Sequence, residues 1–156
     1  MLPMMGEERR PRVVVNTPFE ERNGQFSPDG HWLAYETNES GVFQIVVQAF
    51  PEPSGKWQVS TSTNGGVQPR WRADGKELYF IAPDGKLMSV PVTASGFSFE
   101  AGTPVALFQT RIAGGGAETL RPQYSVSRDG RFLINQLVET STPPITLILN
   151  WKLPTK

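Results

Sequence analysis

FSPDGHWLAY, residues 26–35, sets a tight turn directly against an apolar run. Pro28 fixes φ near the value that the first turn position needs, and Gly30 accepts the left-handed conformation that closes the turn. This is the chemistry of a β-hairpin with a glycine bulge. The same frame returns as WRADGKELYF (71–80) and VSRDGRFLIN (126–135). Arg72-Ala73-Asp74-Gly75 and Ser127-Arg128-Asp129-Gly130 keep the Asp-Gly pair and lose the proline. The constant part is the part that backbone geometry requires.

Each turn precedes a continuous apolar stretch: Trp32–Tyr35, Leu78–Ile81 and Phe132–Ile134. Unbroken runs of this length predict strands buried on both faces. A second turn follows each one, at Asn38-Glu39-Ser40-Gly41, Ala82-Pro83-Asp84-Gly85 and Thr140-Ser141-Thr142-Pro143. Third strands are expected at Phe43–Phe50, Lys86–Val92 and Ile145–Trp151, and fourth strands at Lys56–Thr61 and Pro104–Thr110.

The unit spans 45 residues from Asp29 to Asp74 and 55 from Asp74 to Asp129. Ala94–Thr103 and the loop Gly114-Gly115-Gly116 account for the longer second step. Four short antiparallel strands every ~40–50 residues is the pattern of a β-propeller blade. No 3.6-residue periodicity competes with it. The expected fold is therefore all-β, a partial β-propeller of four-stranded antiparallel blades, about two full ones flanked by two incomplete ones. Residues 1–22 read as the end of a preceding blade, with strands at Leu2–Met5 and Arg12–Val15. Residues 23–66 and 67–121 are the full blades, and 122–156 an incomplete last blade.

Composition narrows the function classes. Fifteen basic residues balance fifteen acidic ones, so no charge excess points to nucleic acid. Without cysteine there is neither disulfide nor thiolate chemistry. No stretch has the ~18 consecutive apolar residues of a membrane span, and no signal-peptide core of ~7–15 apolar residues opens the chain. Neither feature assigns a compartment.

Few residues invite a chemical role. All four aspartates (Asp29, Asp74, Asp84 and Asp129) precede glycines Gly30, Gly75, Gly85 and Gly130. Shared turn position explains them as structural, whereas paired catalytic carboxylates need environments that split their pKa values. His31 is the only histidine and no G-x-S-x-G elbow accompanies it, so no catalytic, cofactor or metal site is expected. The triglycine loop lacks the phosphate-loop frame. Asn38-Glu39-Ser40 fits a glycosylation sequon and is read as chance. Trp32 and Trp71 are expected in the core, and Trp57 and Trp151 within strands. Arg70 and Arg72 flank Trp71 on an inner strand. They are candidate contacts for an anionic ligand or peptide carboxylate in the channel, or ion-paired structural residues if glutamates meet them.

The stretches NTPFEERNGQFSPDGHWLAYETNESG, GKWQVST, QPRWRADGKELYFIAPDGKLMSVPV and PPITLILNW cover nearly the whole chain. In wording as well as pattern the chain resembles the TolB-like, WD-like β-propeller repeats of bacteria. More narrowly, it looks like the C-terminal part of the propeller attached to many bacterial serine/threonine protein kinases, notably acidobacterial ones. The resemblance implies a non-enzymatic sensing or protein-interaction module, often extracytoplasmic, with a kinase domain and membrane span lying N-terminal in the parent proteins. It carries no catalytic residues across. The alternative from another class is the substrate-gating propeller of a prolyl oligopeptidase-like hydrolase. A ring needs ~4–8 blades, so fewer than four leave open edges. Those edges predict self-association, a TolB-like scaffold completed by homodimerisation, or a place within a longer chain. Partners are expected on loops Asn16–Asn23, Asn38–Gly41, Ser62–Gly66, Pro83–Gly85 and Ala113–Thr119.

Overall fold

The computed structural model describes residues 11–61, 65–96, 98–112 and 121–137. Within them the chain is all-β and antiparallel, with no helix. The first sheet is built from β1 (Glu21–Phe26), β2 (Trp32–Thr37), β3 (Gln44–Ala49) and β4 (Lys56–Gln58), in that order. The second contains β5 (Val67–Trp71), β6 (Glu77–Ile81), β7 (Lys86–Ser95), β8 (Ser98–Ala101) and β9 (Val105–Gln109). A two-stranded sheet follows from β10 (Tyr124–Val126) and β11 (Phe132–Ile134).

The Asp-Gly turns have the geometry that their sequence demands. Gly30, Gly75, Gly85 and Gly130 take φ of 75°, 73°, 79° and 81°. In each turn the glycine N–H donates to the carbonyl three residues back, at 2.8–3.0 Å. The Asp29, Asp74 and Asp84 carboxylates accept the backbone N–H of His31, Lys76 and Lys86 at 3.0–3.1 Å.

Successive sheets pack face to face. Trp32, Ala34, Ile45 and Val47 of the first sheet meet Leu78, Phe80, Val90 and Val92 of the second. The second sheet's other face, with Tyr79, Ile81 and Leu87, meets Tyr124, Phe132 and Ile134 of the third. Thus β2, β3 and β6 bury both faces, as the unbroken apolar runs Trp32–Tyr35 and Leu78–Ile81 predict for β2 and β6.

Four details differ from the sequence reading. Arg12–Val15 forms no strand; Val14 and Val15 instead pack across Leu33, Tyr35 and Val46 on the first sheet's outer face. The segment Ala94–Thr103 is more than a spacer: β7 runs on to Ser95, and β8 folds back on its last part while β9 pairs with its first. The outer strand β4 is only three residues long. In β11, Phe132 and Ile134 face the second sheet, but Leu133 is 75% exposed, so this run buries one face. The strands expected at Leu2–Met5 and Ile145–Trp151 lie outside the described residues.

Strands β1 and β5 carry a further irregularity. The register of β1 on β2 shifts between Arg22 and Gln25, and that of β5 on β6 between Val67 and Arg70. At the shifts Asn23 and Gln68 adopt φ of 53° and 58°, a region that costs an L-residue energy and is easier for asparagine than for glutamine. The β5 bulge turns the Gln68 backbone N–H out of its own sheet and toward Glu36 in the first.

Candidate functional site

The turn ends of the first and second sheets do not close on each other. A cleft of about 710 Å³ lies between them. Val42 and Phe43, where the chain enters β3, line one wall. The other wall crosses the second sheet through Val67 of β5, Ile81 of β6, Met88 of β7 and Ala106 of β9. Four adjacent strands at a spacing of ~4.8 Å make this wall ~14 Å long.

Local sequence explains the opening. The chain passes from β4 to β5 through Gly65-Gly66, close against the first sheet. Gly66 donates its N–H to the Phe43 carbonyl at 2.9 Å. A β-carbon on Gly66 would stand 2.7 Å from Phe80, and one on Gly65 2.6 Å from the Phe43 carbonyl oxygen. Only glycine permits this approach, and the two residues line the cleft with bare backbone. The Arg22 guanidinium lies 3.6 Å from the centre of the Phe43 ring and holds that wall in place.

The lining is apolar, and its charge is confined to the rim. There Lys86 Nζ meets Asp84 Oδ2 at 2.7 Å. Hydrogen bonds from Lys86, through its ammonium and its backbone N–H, hold the Asp84 carboxyl below its ordinary value. The pair is mutually neutral, so the cleft suits an uncharged apolar group more than an ion.

The opposite end of the same interface is filled. Phe99, carried by β8, lies among Trp32, Trp57 and Trp71, with ring centres 5.2, 5.7 and 6.4 Å away. Trp32 is buried, and Trp57 and Trp71 are half-buried against the same core. Three of the tryptophans are thus packing residues, and Trp151 lies outside the described residues.

A buried polar relay ties the inner strands together. Glu36 on β2 is fully buried. It accepts hydrogen bonds from Arg22 Nε at 2.5 Å, Asn23 Nδ2 at 2.7 Å and the Gln68 backbone N–H at 2.6 Å. Gln68 repeats the gesture, its Oε1 accepting the Gln123 N–H at 2.7 Å, while Tyr124 donates its hydroxyl to the Gln68 carbonyl at 2.8 Å. Sequence reasoning passed over Glu36; its one signal is a lone carboxylate closing an otherwise apolar strand.

The two candidate arginines diverge. Arg72 pairs with Glu77 at 2.9 Å and Asp74 at 3.6 Å, within its own hairpin. Arg70 lies half-buried over the Tyr124 ring. His31 is exposed at the first turn, away from the cleft. Asn38 accepts the Glu20 N–H at 2.9 Å through its side-chain oxygen. The triglycine loop lies outside the described residues. Among the described residues no three His, Asp or Glu side chains converge on a metal-sized site, and no helix is long and apolar enough to cross a membrane. No protein-family model matches the chain, and no curated protein matches its sequence.

Proposed function

We propose that the chain forms consecutive blades of a β-propeller and acts as a non-enzymatic binding module, the sensor or scaffold part of a larger bacterial signalling protein. The face-to-face succession of antiparallel sheets and the recurring Asp-Gly turns support the propeller reading. The apolar cleft between the first two sheets carries the binding reading. Of the expected partner loops, Gly65–Gly66 and Pro83–Asp84 line it, and loops on a rigid scaffold are where binding sites sit.

The test uses the apolar dye 8-anilinonaphthalene-1-sulfonate and the variant Ala106→Trp. Ala106 is exposed on the edge strand, so a tryptophan there fills the cleft without entering the core. The native chain is expected to bind dye saturably near one-to-one, and the variant to lose most of that binding while keeping its melting temperature. Equal dye binding by both chains overturns the cleft as the site.

A further inference from the structure

Arg22 on β1, Arg70 on β5 and Arg72 just beyond it stand on or beside the inner strands, and the structure treats them differently. Arg22 is neutralised by Glu36 at 2.5 Å and Glu20 at 3.7 Å. Arg72 is neutralised by Glu77 and Asp74. Among the described residues no carboxylate comes within ion-pairing distance of Arg70. Its Nη1 donates to the adjacent Pro69 carbonyl at 2.6 Å, and its guanidinium carbon stands 5.7 Å from the Tyr124 ring centre.

A half-buried cation ordinarily has a counter-charge, because desolvation penalises it. Burial indeed pushes the Arg70 pKa down, against the opposing influence of Tyr124 and Glu36. Glu36 is already engaged by Arg22, Asn23 and the Gln68 N–H. No buried side-chain nitrogen or oxygen among the described residues lacks a hydrogen-bond partner. The Arg70 donors that Pro69 does not take therefore reach solvent. The Tyr124 ring beside the guanidinium is fixed, because its hydroxyl is held by the Gln68 carbonyl.

We propose that Arg70 anchors an oxyanion-binding site whose ligand presents a carboxylate or a phosphate. The planar guanidinium offers parallel N–H donors that match either group in two-pronged fashion. The Tyr124 ring steadies the fork from one side. The site is separate from the apolar cleft in position and chemistry, and stands whether or not the cleft binds.

The experiment is a titration of the full chain, followed by proton–nitrogen NMR, with sodium phosphate and sodium acetate separately, at ionic strength held constant with chloride. Saturable shifts at the Arg70 side chain and the Tyr124 amide are expected with at least one anion, and the one that saturates identifies the source. Arg70→Gln is expected to weaken binding about tenfold or more. Arg70→Lys keeps the charge, loses the fork and is expected to weaken it severalfold. Arg72→Gln is expected to change nothing. Non-saturating shifts with both anions, or native affinity in Arg70→Gln, overturn the proposal. Should Arg70→Gln fail to fold, native affinity in Arg70→Lys overturns it equally.

Discussion

The interface between the first two sheets has two ends built from opposite materials. At one end Phe99 reaches over from an extended hairpin and lies among three tryptophans. At the other, Gly65 and Gly66 bring the backbone close and leave a cleft. Between them lies one shared core, from Trp32 and Trp57 to Ile45 and Phe80. Stability and recognition can therefore be divided along one interface: bulk at the plugged end, absence of bulk at the open end.

The largest effect is expected at the plug. Phe99→Ala removes a buried ring and is expected to cost about 3–5 kcal/mol, read as a lowered urea midpoint. Dye binding in the fraction still folded stays native. A loss below about 1 kcal/mol would mean that the hairpin merely decorates the core, and the contrast between the ends would fall.

Gly66→Ala probes the open end. Its new methyl group meets Phe80 at 2.7 Å and Ile45 at 3.2 Å, so a cost of about 1–3 kcal/mol is expected. Neutral stability would show that Phe80 gives way freely and that close approach is not what shapes the cleft.

The smallest effect concerns pH. At the plugged end burial raises the Asp29 carboxyl, but the Ser27 hydroxyl and His31 N–H outweigh it and leave it below 3.8. At the cleft rim hydrogen bonds from Lys86 lower Asp84 from the same value. Both folded-state values lie under the unfolded one. Their contribution is therefore present above pH 3.8 and is lost as pH falls through the lower folded values. Both groups are exposed, so each is worth about 0–1 kcal/mol. Urea midpoints of Asp29→Asn and Asp84→Asn across the acid range should each show a flatter pH dependence than the native chain. If one flattens and the other does not, the two ends differ electrostatically as well as in packing.

The turns were the most legible part of the fold, because Asp-Gly is a local requirement that neighbours cannot override. Strands β2 and β6 were legible from their unbroken apolar runs, and β3 from its place after the second turn. The hairpin ending in β8 was not: the burial of its Phe99 ring depends on where a different sheet stands. The cleft was invisible for the same reason. Gly65-Gly66 reads as an ordinary turn signal, and only tertiary placement shows that Phe43 and Phe80 crowd it. The split fate of Arg70 and Arg72 was open in sequence, since Glu77 sits close in the chain to one and no carboxylate is placed by spacing beside the other. Glu36 was overlooked because a strand-period reading weighs apolar residues and ignores the charge among them.

The polar relay has a direction. Glu36 of the first sheet receives the N–H of Gln68 in the second, and Gln68 receives the N–H of Gln123 in the third. Each unit is an acceptor toward its successor and a donor toward its predecessor. Such a stack has a head and a tail, like a heterologous subunit contact, and unlike a self-complementary one. A duplicated copy is compatible only in the matching orientation, because a reversed neighbour would place donor against donor at the buried inner edge. The polar bonds thus give the stack of three sheets a direction that its apolar packing does not state.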